Sequence, residues 1–145
     1  MRIHHLMLAV LSSLLVLSSP VASAADEGPV KVVYHVNEGL EQATHALRYI
    51  RNHLAVDPGA KIVVVAQAQG VQFLLEGAKD EHKNPYNVAV ETLAMEGVEF
   101  RVCELTLKTL KIDKSKVLPE AKIVPSGVAE LARLQAREGY AYIRP

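Results

Sequence analysis

The sequence predicts an α/β domain with a mostly parallel sheet of about five strands and helices on both faces. Three observations carry that prediction. Five short apolar runs, rich in β-branched residues, recur along the chain without a helical period. Segments with apolar residues three and four apart separate them. Glycine, proline or a short polar residue punctuates most junctions.

The first strand is read in "PVKVVYHV", Pro29 to Val36, where apolar residues run almost without a break, as in a strand buried on both faces. Asn37 is placed to cap the next helix. That helix runs from about Glu38 to Ala55, with Leu40, Ala43, Leu47, Ile50 and Leu54 along one stripe, and Asp57-Pro58-Gly59 ends it. "KIVVVA", Lys61 to Ala66, is the second strand. A short helix over about Val71 to Glu76 stops at Gly77. After the polar loop "KDEHKNP", a helix from about Pro85 to Glu96 takes Val88, Leu93 and Met95 as apolar positions and Gly97 as its stop. "VEFRVC", Val98 to Cys103, is the third strand. Leu105, Leu107, Leu110 and Ile112 mix periods, and the segment from Glu104 is read as a short helix. "AKIVPS" is a short strand ended by Pro125. The helix "GVAELARLQAREG" carries Val128, Leu131 and Leu134 on one face, and "YAYIRP" is the last short strand. No internal repeat or low-complexity tract divides the chain.

The first 24 residues read differently. Arg2 precedes an apolar core from Leu6 to Leu17. Pro20 breaks the run, and Ala22-Ser23-Ala24 supplies the small residues of a cleavage site. This is the layout of a secretory signal peptide, its core well short of the ~20 residues that span a bilayer. The expected organisation is a signal peptide over 1–24, a flexible lead-in over 25–29 and one domain over 30–145. The mature chain would be exported, and periplasmic in a Gram-negative host.

Charge excludes some function classes. The chain has 16 basic and 16 acidic residues. Only Arg2 falls in the leader, so the remainder carries a net charge of about −1. That balance gives no electrostatic ground for nucleic acid or an anionic membrane as partner. There is no phosphate-binding loop, no dinucleotide fingerprint and no serine elbow. Glu41 and His45, four apart on a helix, fit a solvated helix face better than a two-ligand metal site. No cofactor and no metal are assigned.

Cys103 is the only cysteine in 145 residues. An exported chain with one cysteine cannot form an internal disulfide, which leaves a reactive thiol, an intermolecular bridge, or a buried thiol acting as a small hydrophobe. In open parallel sheets ligands bind at the carboxyl ends of the strands. His35 and Asn37 fall at the first such end, and Gln67, Gln69 and Gly70 follow the second. Cys103 and Glu104 mark the third, and Ser126-Gly127 the fourth. A helix starting at Glu104 would lower the thiol pKa through its free N–H groups, whereas the Glu104 carboxylate would raise it. His35 could serve as base or orienting donor.

The blocks "YHVNEG", "KIVVVA…GVQFLLEG", "GVEFRVCELTLK", "VPSGVAELARLQ" and "GYAYIRP", in that order and spacing, resemble the DsrE/DsrF-like family, and within it an exported branch. The resemblance spans about Lys31 to Pro145. It implies a three-layer α/β/α domain of flavodoxin-related architecture that assembles as a dimer, trimer or hexamer. It also implies a sulfur-relay chemistry in which a cysteine carries persulfide. Cys103 matches the family's cysteine after the third strand, and His35 its histidine after the first. Gln67-Ala68 stands where relatives tend to have His-Gly, a departure that weighs against a shared histidine-assisted step. The implied partners are small sulfur species or a thiol-bearing protein. The alternative function is a small-molecule-binding or structural oligomeric module whose thiol is inert.

Overall fold

The computed structural model describes residues 28–145; the signal-peptide reading and Ala25–Glu27 of the lead-in lie outside the described residues. Five strands form one sheet: β1 (Lys31–Val36), β2 (Lys61–Ala66), β3 (Glu99–Cys103), β4 (Ala121–Val124) and β5 (Ala141–Ile143). All four pairings are parallel, in the order β4-β3-β2-β1-β5. The helices are α1 (Leu40–Val56), α2 (Tyr86–Met95), α3 (Glu104–Thr109) and α4 (Gly127–Glu138).

Strand order dictates the layers. From β1 to β4 each strand is laid beside its predecessor in one direction, so right-handed crossovers put α1, α2 and α3 on the same face. The last crossover runs back across the whole sheet to the far side of β1, which sends α4 to the other face. The two cores follow. Val32, Tyr34, Val36, Ile62, Val64, Phe100 and Val102 pack with α1, α2 and α3. The alternate residues Val33, Val63 and Val65 meet Leu131 and Leu134 of α4, with Tyr140 packed beside them. Phe73 sits edge-on to both Tyr86 and Phe100 in the larger core. Each such buried ring stabilises by roughly 1.5–3 kcal/mol.

Several local expectations are corrected. Asn37 does not cap α1. Gly39 holds that position, and the buried Gln42 folds back so that its Oε1 accepts from the Asn37 and Glu38 N–H groups at 2.7 and 2.8 Å. The short helix after β2 begins earlier than its apolar run, as a 3₁₀ helix over Ala68–Leu74. Val88, Met95 and Val128 are exposed; Tyr86, Val90 and Leu93 of α2 and Leu131 and Leu134 of α4 face the cores instead. α2 and α4 each rest on narrow stripes, so the extra apolar residues fall outside them. At the last turn of α1, His53 Nδ1 lies 3.1 Å from the hydroxyl of the buried Tyr34. A 3₁₀ turn at Lys114–Lys116, capped by Asp113, had no sequence signal beyond that aspartate. α4 ends as a glycine-stopped helix should, with Gly139 in the left-handed region at φ 72°.

Among the described residues, no helix is long and apolar enough to cross a membrane.

Candidate functional site

The sheet's alternation decides which side chains share a face. His35 pairs in register with Val65 and Val65 with Arg101, so His35, Val65 and Arg101 form a row on the α4 side. Cys103, two residues beyond Arg101, points to the same side. Gln67 joins it: a Cβ on Gly127 would stand 3.2 Å from both the Cys103 and Gln67 Cβ atoms and 2.7 Å from Gln67 Oε1. Gly127 is therefore the residue that lets the N-terminus of α4 close over Cys103 and Gln67, and any larger residue there would push one of them aside.

The thiol is 5% exposed. Burial raises its pKa. The Gly127 N–H, the Thr106 hydroxyl and the Thr106 and Leu105 N–H groups act against burial and together hold the thiol below its ordinary value. Sγ makes no formed cap hydrogen bond in α3, so these groups act as dipoles aimed at the sulfur, ready to close on a thiolate. Glu104 does not oppose them. Its carboxylate lies 2.6 Å from Lys114 Nζ and 3.1 Å from Lys108 Nζ, and both lysines hold it below the usual carboxylate range. Its charge is thus compensated on the outer side of α3.

The loop after β2 is tied to the same place. The Thr106 hydroxyl accepts from the Ala68 N–H at 3.0 Å, and Ala68 holds a left-handed φ of 47°. A non-glycine residue there stores strain, a state found where the surroundings over-determine a loop. Gly70 packs so tightly on the end of β1 that a Cβ would meet Val36 O at 2.1 Å. Gln69 faces the start of α1, within 4.0 Å of the Cβ that Gly39 lacks, and accepts from the Gln72 amide at 2.7 Å.

The expected residues therefore divide. Cys103 and Gln67 are brought together under Gly127. Gly70 shapes the backbone, and Gln69 lies away from the thiol. Ser126 is engaged as the N-cap of α4, its Oγ accepting from the Ala129 N–H at 3.3 Å. Asn37 sits at the end of β1, with Oδ1 buried and without a partner among the described residues. His35 does not touch Cys103, because β2 lies between their strands. His35 Nδ1 is 2.7 Å from the Tyr142 hydroxyl of β5, while its Nε2 is buried and has no partner among the described residues. Desolvation, then the nearby Arg144 charge, lowers the His35 pKa, so the ring is neutral at pH 7.

Thr106 and Tyr142 were missed in the sequence. A threonine three residues after a strand-end cysteine is a weak signal for Thr106. The pairing of β5 with β1, which brings Tyr142 to His35, had none. No group of three His, Cys, Asp or Glu side chains that could hold a metal occurs among the described residues. Cavities of about 370 and 340 Å³ open around α1 and α2, one lined by Thr44, His45, Asp80 and Tyr86, the other by Arg51, Pro85 and Val88. They lie beyond the opposite layer, remote from the thiol. His45 there stacks on Tyr49.

A parallel sheet with one thiol at its carboxyl edge, under a glycine-started helix, is matched along its whole length by one family model, the DsrE/DsrF-like family, over residues 31–145. The chain belongs to the DsrE/DsrF-like family. A solved structure of a protein of unknown function, MTH1491 from Methanobacterium thermoautotrophicum, is 33% identical, with a TM-score of 0.72, and the match covers 80% of this chain and 99% of that one. The ychN protein from E. coli shares the fold at a TM-score of 0.68 and 15% identity, over 80% of this chain and 99% of its own. No curated protein matches. In this DsrE-like chain Gln67 and Ala68 occupy the loop beside the cysteine, so among the described residues the only histidine on the α4 side of these strand ends is His35.

Proposed function

We propose that this DsrE-like protein is a sulfur carrier that acts through Cys103 as a persulfide. One observation carries the reading: the chain's single thiol stands at the carboxyl edge of a parallel sheet, ringed by N–H and O–H donors that favour its anion. Family membership supports it, since sulfur relay is the chemistry associated with DsrE-like proteins. The step conserves electrons. The Cys103 thiolate attacks the outer sulfur of a persulfide R–S–SH, and a bond forms between Sγ and that sulfur. The S–S bond within the donor breaks, and R–S⁻ leaves with the electron pair. Transfer onward is the same exchange with a second thiol. The N–H groups of Leu105, Thr106 and Gly127 would stabilise the anion before and after transfer.

The test is mass spectrometry of the native protein after exposure to polysulfide. A gain of one sulfur at Cys103, absent in Cys103→Ser, is expected; no gain in the wild type sinks the reading. The second reading, a binding or structural module with an inert thiol, is favoured by the 5% exposure of Cys103. Failure of the native thiol to react with a small alkylating reagent would establish it.

Two further parts belong to the proposal. The carrier is exported, on the strength of the Arg2–Ala24 leader pattern, and cell fractionation with N-terminal sequencing decides that. It works as a homo-oligomer, supported by exposed Leu105 and Val128 in the first turns of the helices that flank Cys103. Light scattering of the purified chain gives the copy number, and a monomer at micromolar concentration refutes that part.

A further inference from the structure

His35 is an anomaly that the carrier step does not use. It is 8% exposed on the α4 side of the sheet, yet Nε2 has no hydrogen-bond partner among the described residues. A buried polar atom left so is costly, so an occupant is expected. Asn37 Oδ1, two residues further along at the same strand end, is also buried and, among the described residues, unpartnered.

The ring's orientation follows from Tyr142. In the β1–β5 register Tyr142 pairs with Val33, two residues below His35. Its hydroxyl therefore reaches Nδ1 from the outer, amino-terminal side. The two imidazole nitrogens point to nearly opposite sides of the ring. Nε2 thus points away from Tyr142 and β5, the direction in which β2 and β3 lie. A phenol donates to a neutral imidazole nitrogen, so Nδ1 is assigned as the acceptor and Nε2 as the N–H donor. The shelf then offers one empty donor, His35 Nε2–H, and one empty acceptor, Asn37 Oδ1. Tyr142 is a positioning residue that sets the tautomer.

The distance selects the size of the occupant. Two strand spacings of ~4.8 Å and two rises of ~3.3 Å put the His35 and Cys103 Cα atoms on the order of 12 Å apart. On that scale a ligand joined to Sγ must span several bonds to reach Nε2, about the length of a sulfur with a carboxylate two carbons away. Gln67 lies between them, half-buried, with its amide against Gly127, where a swing of its side chain would open the shelf.

We infer that His35 and Asn37 form a head-group subsite for a low-molecular-weight thiol of amino-acid type, its carboxylate accepting from His35 Nε2–H and its ammonium donating to Asn37 Oδ1 while its sulfur exchanges with Cys103. This rests on the reading of Cys103 as the working thiol and names the donor or acceptor: a small amino-acid thiol or its persulfide. In exchange with the corresponding disulfide, the Cys103 thiolate bonds to one sulfur, the S–S bond breaks, and the released thiolate takes a proton from water.

The experiment uses the full-length protein and measures, by mass spectrometry, the rate at which Cys103 forms mixed disulfides. Four probes are compared: cystine, dithiodipropionate (carboxylate only), cystamine (ammonium only) and hydroxyethyl disulfide (neither). Each rate is divided by that of a free thiol with the same probe. Cystine is expected to exceed hydroxyethyl disulfide by about tenfold, the scale of hydrogen bonds to charged groups. His35→Ala should remove the advantage of dithiodipropionate, leave that of cystamine and cut that of cystine to the cystamine level. Asn37→Ala should remove the advantage of cystamine, leave that of dithiodipropionate and cut that of cystine to the dithiodipropionate level. A cystine advantage absent in the wild type, or retained in full in both variants, overturns the subsite. So does an equal loss with all four probes, which marks a structural effect. The polysulfide assay runs alongside: no sulfur gain at Cys103 with the crossed probe pattern intact refutes the carrier and upholds the subsite.

Discussion

Cys103 is a residue whose environment can be tested one donor at a time. Thr106 both donates toward the sulfur and accepts from Ala68, so it links the thiol to the strained loop after β2. Thr106→Val keeps the shape and removes the hydroxyl. It should raise the pH at which alkylation of Cys103 reaches half its maximal rate, moving it toward the ordinary thiol value of ~8.5. An unchanged profile would mean that the backbone N–H groups alone set the anion's stability. Gly70 makes a sharper demand. Its missing Cβ would overlap the Val36 carbonyl, which is backbone and cannot turn aside. Gly70→Ala should therefore destabilise by about 3 kcal/mol or more, as other large steric and strain effects do, read by urea unfolding. At this scale the sequence was legible where chemistry is rare. A lone cysteine, a strand-end histidine and a glycine in a turn could all be picked out. Ser126 could not be told from a ligand, because a serine before a helix is the same letter whether it caps or binds.

At the scale of elements, α4 governs access to the thiol. It rests on the sheet through Leu131 and Leu134 alone in its small core, with Arg101 of β3 paired to Glu130 beside them. Leu134 is fully buried. Leu134→Ala should cost about 2–4 kcal/mol, the usual loss for a buried leucine. Because the same helix covers Cys103, alkylation of the native thiol should accelerate in step with the loss of stability. If the stability falls and the alkylation rate does not rise, α4 is not the gate. Strand and helix positions were readable because each period is repeated within the element. Which apolar residues of a helix are buried was less so. Val128, Val88 and Met95 stand at positions no different in kind from their buried neighbours; only the width of the sheet beneath them decides, and that is a property of the assembled fold.

For the whole molecule, the two-faced layering was foreseeable from alternating strands and helices, but strand order was not. Nothing local in "YAYIRP" says that it returns to the outer edge of β1. That return seats Tyr142 on His35, brings the Pro145 carbonyl within 3.3 Å of the Gln42 amide and pairs Arg144 with Glu38. It also sets an acid response. The folded-state pKa of His35 lies below the ordinary ~6.5, so the unfolded chain binds a proton that the folded one refuses. Its contribution is present above about pH 6.5 and is lost as the pH falls from there through the folded value. Urea midpoints should decline over that window, before the paired carboxylates of Glu99 and Glu130 are protonated. His35→Gln should flatten the decline between pH 6.5 and 5; an equal decline in the variant would assign it to other groups.

The pairing of β1 with β5 joins the first strand of the domain to the last. Until Ala141–Ile143 arrive, one edge of β1 is bare, and it exposes a row of unpaired backbone groups along an apolar strand. A chain emerging from the ribosome must carry that open edge through the synthesis of every other element. The sheet can therefore complete only as a late event of long sequence separation, slow by loop closure and exposed to edge-to-edge association meanwhile. Lys31 and Lys61, at the amino ends of β1 and β2, are the only charges in those two strands. They are what the nascent sheet has to keep like edges apart before its last strand docks.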